Sequence, residues 1–451
     1  MMRNAIFTGY GYRLILLVSL ASPGIVGVAE GARPLGSLDT VDAQILADSP
    51  EDFGSRIYSY DMAIDDQNNV HIVYSRPFSS TADQIIYARR IDGAWSQHVI
   101  SSNGLRASIS TEIEIDPNGT VHVCYIRANK QLYYHRIQGG VLPGVKRFVG
   151  SGAWNTRMQL DENGQPVFVR ENQDWPSLQS KLVLLRTANG LNWTQSDIAV
   201  PRVTKFRVAD FLYRQGTFRI TYGDSSMARQ VLIGKGETSY KTGIFHNLYY
   251  AESANGNQWD AIQVDTSGTL YEDEFWTTLA VDGQTPIGAV YRYAEVDGQY
   301  NTGTSLAFFR STEDGVVTQI ITSADYAETR EGMGAALLVE APGEYLGVWD
   351  FSPDDTQDPY FRGERGNIAL ARNGEDGQWK EKLQVDAFSA EGRVVFKKMD
   401  GSLHILVLGD FVDAKLYYRE LDLAYIKGQF DAISGGFPWN IFLPAILGSA
   451  G

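Results

Sequence analysis

The chain has 451 residues, with 39 Lys+Arg against 54 Asp+Glu and a formal net charge of −15; 43% of the residues are hydrophobic and 21% charged. That is a globular composition and excludes a disordered or fibrous chain. The negative balance argues against nucleic acid or an anionic membrane surface as partner, and the single cysteine, Cys124, excludes an internal disulfide framework and a multi-cysteine metal site.

The N-terminus reads as an export signal over residues 1–29. Arg3 and Arg13 supply positive charge, residues 14–20 form an apolar run, Pro23-Gly24 breaks it, and Gly27 and Ala29 (or Ala32) offer a cleavage site of the small-x-small type. The expectation is a secreted or periplasmic protein with no membrane span after cleavage; an uncleaved anchor is the alternative. At the other end, residues 436–451 form an apolar tail too short to cross a bilayer.

Between them one unit recurs: an apolar strand, a tight Asp/Asn/Gly turn, and a second strand ending in an aromatic. The first copy is Asp61-Met-Ala-Ile-Asp-Asp-Gln-Asn-Asn-Val-His-Ile-Val-Tyr74 and the second Glu112-Ile-Glu-Ile-Asp-Pro-Asn-Gly-Thr-Val-His-Val-Cys-Tyr125. Further copies turn at Gly164, Gly216, Gly283, Gly343 and Gly401, at intervals of roughly 45 to 67 residues. A second hairpin completes most units, turning at Asp92-Gly93, Asn189-Gly190, Asn255-Gly256, Asp314-Gly315 and Asp376-Gly377, dipeptides suited to the positive φ of tight hairpin turns. Four short antiparallel strands per unit, seven times over, predict an all-β seven-bladed β-propeller spanning residues 30–435. Length alone would suggest about two or three domains; a single ring replaces that expectation. Residues 40–48 have the cadence of an outer strand and are expected to close the last blade beside residues 415–421, with residues 429–434 as the rival for that slot. No segment after the signal shows a sustained helical period.

The turns Thr187-Ala-Asn-Gly-Leu-Asn-Trp193 and Ser253-Ala-Asn-Gly-Asn-Gln-Trp259 resemble the Asp-box (BNR) repeats of the sialidase-like β-propellers, and Arg56-Ile-Tyr-Ser-Tyr-Asp-Met-Ala-Ile-Asp65 is similar to their N-terminal Arg-Ile-Pro segment, with Tyr58 in place of Pro. Sialidases have six blades, one fewer than predicted here. The architecture is also similar to that of secreted seven-bladed polysaccharide lyases, without a motif match. The resemblance implies a ligand face built from the loops between second and third strands and between blades. For sialidase-like chemistry Arg56, which rests on the motif match, joins Arg207 and Arg292 as a carboxylate clamp. Those two, Asp61 as acid/base, and Tyr291 or Tyr293 with Glu274 or Glu295 as nucleophile pair are placed by inferred loop position.

On that face arginine precedes first strands, as Arg56, Arg207 and Arg330, and closes second strands, as Arg76, Arg127, Arg170 and Arg292. Converging guanidiniums would grip a carboxylate or sulfate; the preferred expectation is that Arg–carboxylate pairs tie neighbouring blades together. His71, His122 and His404 share one repeat slot, which favours packing over catalysis; His246 follows the longest ligand-side insertion, and at a strand start its preferred reading is structural, with a base for a lyase as the alternative. Asp350, Asp354, Asp355 and Asp358 crowd one loop and read as a solvated acidic loop, with Ca²⁺ as the alternative; no other cofactor is expected. The functional expectation is a monomeric secreted propeller that binds a glycan or a cell-surface protein on its charged loop face. The alternative is a sialidase-like glycoside hydrolase or an anionic-polysaccharide lyase on the same scaffold.

Overall fold

A computed structural model describes residues 39–42, 59–79, 82–103, 110–127, 129–140, 144–174, 179–198, 206–232, 240–265, 277–296, 299–312, 315–322, 330–352, 367–373, 379–387, 395–408 and 415–434. The segments 1–29 and 436–451, Arg56, and Asp354, Asp355 and Asp358 lie outside the described residues. Each repeat copy forms one antiparallel sheet of four strands, and there are seven sheets. Blades one to six run in simple chain order from inner to outer strand over residues 60–103, 110–151, 153–197, 206–265, 277–322 and 330–387. Each inner strand contacts the inner strands of its two neighbours, and Tyr60–Ile64 meets both Ser110–Ile115 and Val395–Met399, which closes the ring.

The seventh sheet is assembled differently. Its inner three strands are Val395–Met399, Ser402–Leu408 and Leu416–Asp422, and the outermost position holds Asp39–Asp42, paired antiparallel as Asp39↔Tyr418 and Thr40↔Tyr417. Residues 429–434, the rival for that position, belong instead to a helix, Leu423–Ser434. This helix corrects the expectation that no helical segment follows the signal. Its signals are short: Asp422 Oδ1 caps it by accepting from the amides of Ala424 (2.7 Å) and Tyr425 (3.1 Å), and Leu423 and Ile426, one turn apart, bury against blades six and seven. Two anchoring residues in one turn are too few to raise a periodic signal in a long β repeat.

The seven tight turns fall where the repeat placed them, with positive φ at Asn68 (62°), Gly119 (74°) and the five glycines that follow in the same role. The aspartate opening the turn explains its regularity. Asp65 Oδ1 accepts from the amides of Gln67 (3.0 Å) and Asn69 (2.7 Å), and Asp116 and Asp161 repeat the arrangement. The two Asp-box-like hairpins share their own pattern. Gly190 and Gly256 donate their amides to Thr187 Oγ1 (2.9 Å) and Ser253 Oγ (2.8 Å), while Asn189 and Asn255 accept from the two amides that follow the glycine.

The core lies between blades, face against face. Val73, Ile85 and Tyr87 of blade one meet Ile113, Val123 and Tyr125 of blade two, and Cys124 packs with Phe168, Leu185 and Tyr134 between blades two and three. Each such side chain, fully withdrawn from water, contributes about 1.5–3 kcal/mol. Burial pushes the Cys124 thiol well above its ordinary value, so it behaves as a small apolar residue.

Candidate functional site

Chain order fixes two unlike ends. The turns between first and second strands and between third and fourth strands lie at one end; the connections between second and third strands and between blades lie at the other, the loop face. In blades four and five the loop-face connections are not loops but continuations of the sheet: Thr217–Leu232 pairs with Tyr240–Ser253 as far as Leu232↔Tyr240, and Thr285–Val296 pairs with Gln299–Thr312 as far as Val296↔Gln299. The insertion that separates blade four from the others is therefore a long hairpin, and it carries His246.

Around the ring axis, inner-strand side chains bind blade to blade. Asp61 is buried and its Oδ2 accepts from the amide of Ile113 at 3.0 Å. Asp210, at the matching position of blade four, accepts from the amide of Leu279 at 2.7 Å. Between blades two and three, Arg157 Nη1 meets Glu112 Oε1 at 3.0 Å and Gln159 Nε2 donates to Glu114 Oε1 at 2.9 Å. Burial, reinforced by Asp61 and Asp210 and opposed by Lys397, pushes the Glu114 carboxyl up to about 7. The structure thus sets Asp61 in a backbone clamp between two blades.

The histidine slot is built the same way in three blades. Nδ1 of His71, His122 and His404 lies 2.7, 2.8 and 2.7 Å from the hydroxyls of Tyr87, Tyr134 and Tyr418. His71 Nε2 also meets Asp65 Oδ2 at 3.2 Å, so the turn aspartate, the second-strand histidine and the third-strand tyrosine form one unit. Burial lowers all three histidines below their ordinary value. Burial also presses the Asp65 carboxyl upward, but the hydrogen bonds from Asn69 and His71 outweigh it and hold it low.

Among the described residues Arg76, Arg127 and Arg170 stand with their side chains at loop-face strand ends, and Arg90 lies near the opposite end. Arg76 donates to Asp42 Oδ2 and Gln84 Oε1, both at 3.0 Å, and Asp42 also accepts from the Tyr74 hydroxyl at 2.7 Å; Arg90 meets Asp39 at 2.8 Å. These contacts fasten the N-terminal strand of blade seven to blade one, so the Arg76 charge is matched locally. Arg127 leaves blade two over the ring of Tyr133, 4.5 Å from its centroid.

Arg170 is different. It pairs across from Thr156 as Tyr74 pairs across from Tyr60 and Tyr125 from Thr111, so a guanidinium fills a slot that other blades give to an aromatic. It is 4% exposed, donates Nη2 to Gln195 Oε1 at 3.1 Å, and has neither carboxylate nor other hydrogen-bond partner at Nε and Nη1 among the described residues. Its guanidinium lies against Gly150, where an added Cβ would sit 2.8 Å from Nη1. Burial alone lowers it from its ordinary value. A buried, uncompensated guanidinium is costly and calls for an anion. The repeat itself carried the signal for Arg170, as the break in a run of terminal aromatics.

For the remaining expected site residues the backbone alone is described. Arg207 pairs with Gly223, Tyr291 with Leu306, Arg292 with Ser305, Glu295 with Tyr300 and Arg330 with Ser352, all on loop-face strand ends. Asp350 pairs with Ile368 in the sixth sheet. Among the described residues no group of three or more His, Cys, Asp or Glu is placed to hold a metal ion, and no helix is long and apolar enough to cross a membrane.

No known family pattern matches the sequence, and no curated protein is similar to it. Solved structures do share its shape. The polysaccharide lyase Uly1 superposes with a TM-score of 0.52 at 11% identity, covering 86% of this chain and 99% of that one. An ulvan lyase bound to -[GlcA(1-4)Rha3S]- superposes with a TM-score of 0.53 at 10% identity, covering 80% and 91%. An α-L-arabinanase of Penicillium chrysogenum matches at a TM-score of 0.43 and 11% identity, covering 87% and 99%. At such identities the two lyase structures bear on the fold alone, and with its seven four-stranded sheets this chain is a seven-bladed β-propeller.

Proposed function

We propose that this protein is a secreted, glycan-active propeller that engages an acidic polysaccharide on its loop face and cleaves it by elimination. The observation that carries the reading is Arg170, a buried guanidinium in an aromatic slot with no carboxylate to neutralise it among the described residues. In a chain of net charge −15, a buried cation without an acidic partner among the described residues suits an external anion. Elimination is favoured over two-carboxylate hydrolysis because Asp61, the expected acid/base, is occupied by the Ile113 amide.

In such a cleavage a guanidinium neutralises the uronate carboxylate and so acidifies C5–H. A base removes that proton, the C5–H electrons form the C4=C5 double bond, the C4–O bond breaks, and an acid protonates the leaving oxygen. We assign these roles to the loop face of blades four and five: His246 or Tyr291 as base, Glu295 as proton donor, and Arg207 and Arg292 beside the substrate carboxylate. Arg56 and Arg330 stand as further anion contacts.

Arg170→Met tests the reading. Removing an unpaired buried charge leaves the fold as stable or more so, while binding and cleavage of a uronate polymer fall. A variant that retains wild-type binding and cleavage removes Arg170 from the site. If wild-type protein binds the polymer and leaves it intact, the protein is a binding module.

A further inference from the structure

A second cationic site lies away from the ring axis, in the cleft between the outer strands of blades one and two. The cleft has a volume of about 580 Å³ and is lined by Gln97, Val99 and Ile100 of blade one and by His135 and Lys146 of blade two. Lys146 also belongs to a second cluster beside the cleft, where it converges with Arg127. Both donate to Ser101 Oγ, Lys146 at 3.3 Å. Both also lie over the Tyr133 ring, at 4.5 and 4.8 Å from its centroid. Tyr133 stacks on Tyr125 at 5.7 Å, and Phe148 stands edge-on to it at 5.8 Å with half its surface in solvent. Among the described residues no carboxylate pairs with Lys146.

Partial burial first and the neighbouring Arg127 charge second make Lys146 easier to deprotonate, since two like charges sharing one hydroxyl and one ring repel each other. An anion between them removes the repulsion, and the tyrosine faces and exposed Phe148 offer an apolar platform for a sugar ring.

We propose that the cluster adjoining this inter-blade cleft is an auxiliary glycan subsite in which Lys146 and Arg127 hold a carboxylate or sulfate of an acidic polysaccharide while Tyr133 and Phe148 support the adjoining sugar. The inference rests on the reading of the loop face as an acidic-glycan site and extends it outward along the rim.

The test uses the full-length protein and three polymers: polygalacturonate for carboxylate, dextran sulfate for sulfate, and dextran as the neutral control. Wild-type protein is expected to bind one or both polyanions and not dextran, and the polyanion preferred identifies the group. Lys146→Ala is expected to weaken that binding about tenfold, and Lys146→Arg to restore it. Lys146 is exposed, so neither substitution disturbs a core. In turnover of long chains, Lys146→Ala raises KM and leaves kcat unchanged. Wild-type affinity in both Lys146→Ala and Lys146→Glu would overturn the subsite and leave the loop-face reading standing. Failure of the wild type to bind either polyanion would overturn both.

Discussion

Glu114→Gln isolates the electrostatic cost of the ring axis. Glu114 accepts from Gln159 Nε2 at 2.9 Å, and burial, with Asp61 and Asp210 adding to it against Lys397, moves its carboxyl from 4.5 to about 7. At about 1.4 kcal/mol per unit, that shift corresponds to about 3 kcal/mol. The sign follows from proton binding. The folded state holds the Glu114 proton more tightly than the unfolded chain, so this cost is absent below pH 4.5, grows as pH rises, and is complete above about 7. Glutamine keeps the carbonyl acceptor for Gln159 and loses the titration. Urea unfolding across this range should find the variant equal to wild type near pH 4.5 and more stable by up to about 3 kcal/mol near pH 8. A stability difference that does not change with pH, or a variant less stable throughout, would refute the electrostatic account of the axis.

Three further outcomes follow from the same contacts. Asp61→Asn keeps an acceptor for the Ile113 amide and should retain both stability and turnover, whereas Asp61→Ala leaves that amide unsatisfied and costs about 1–3 kcal/mol; a folded Asp61→Asn without turnover would return Asp61 to the chemistry. Because burial holds His71, His122 and His404 below 6.5 in the fold, their contribution to stability is complete above 6.5 and is lost as pH falls below it. His122→Gln should then reduce the acid-side slope of stability by at most about 1.4 kcal/mol per pH unit, and an unchanged slope would count against a buried neutral imidazole there. Gly256→Ala places a Cβ 2.5 Å from Leu184 Cδ2 at a φ of 77° and should cost about 2–4 kcal/mol in thermal or urea unfolding, against near-neutrality if blade three yields.

Most of the fold was legible because the repeat is written in turns. An aspartate that caps its own turn, a residue of positive φ three positions on, and a histidine that meets a third-strand tyrosine recur at fixed offsets, and each has a local physical cause. The helix Leu423–Ser434 escaped because two buried residues and one cap carry it. The site was legible only in outline. Arginines at strand ends were visible, but whether a guanidinium meets a carboxylate, as Arg76 meets Asp42, or none among the described residues, as at Arg170, depends on contacts between segments far apart in sequence. Lys146 gave no signal at all, since it lies mid-repeat and gains its meaning from Arg127 of its own blade and from Ser101 across the blade boundary. Gly150, by contrast, could have been read together with Arg170 once the aromatic slot was seen to be broken.

The most direct test of the central claim follows the products formed by full-length protein on uronate-containing polysaccharides. Ultraviolet absorbance of the unsaturated uronate and the release of reducing ends are measured together in wild type and Arg170→Met. Elimination on the loop face predicts that both signals rise in step for the wild type and fall together in the variant. Reducing ends without the absorbance, or neither signal and no retention of any polyanion, would contradict it.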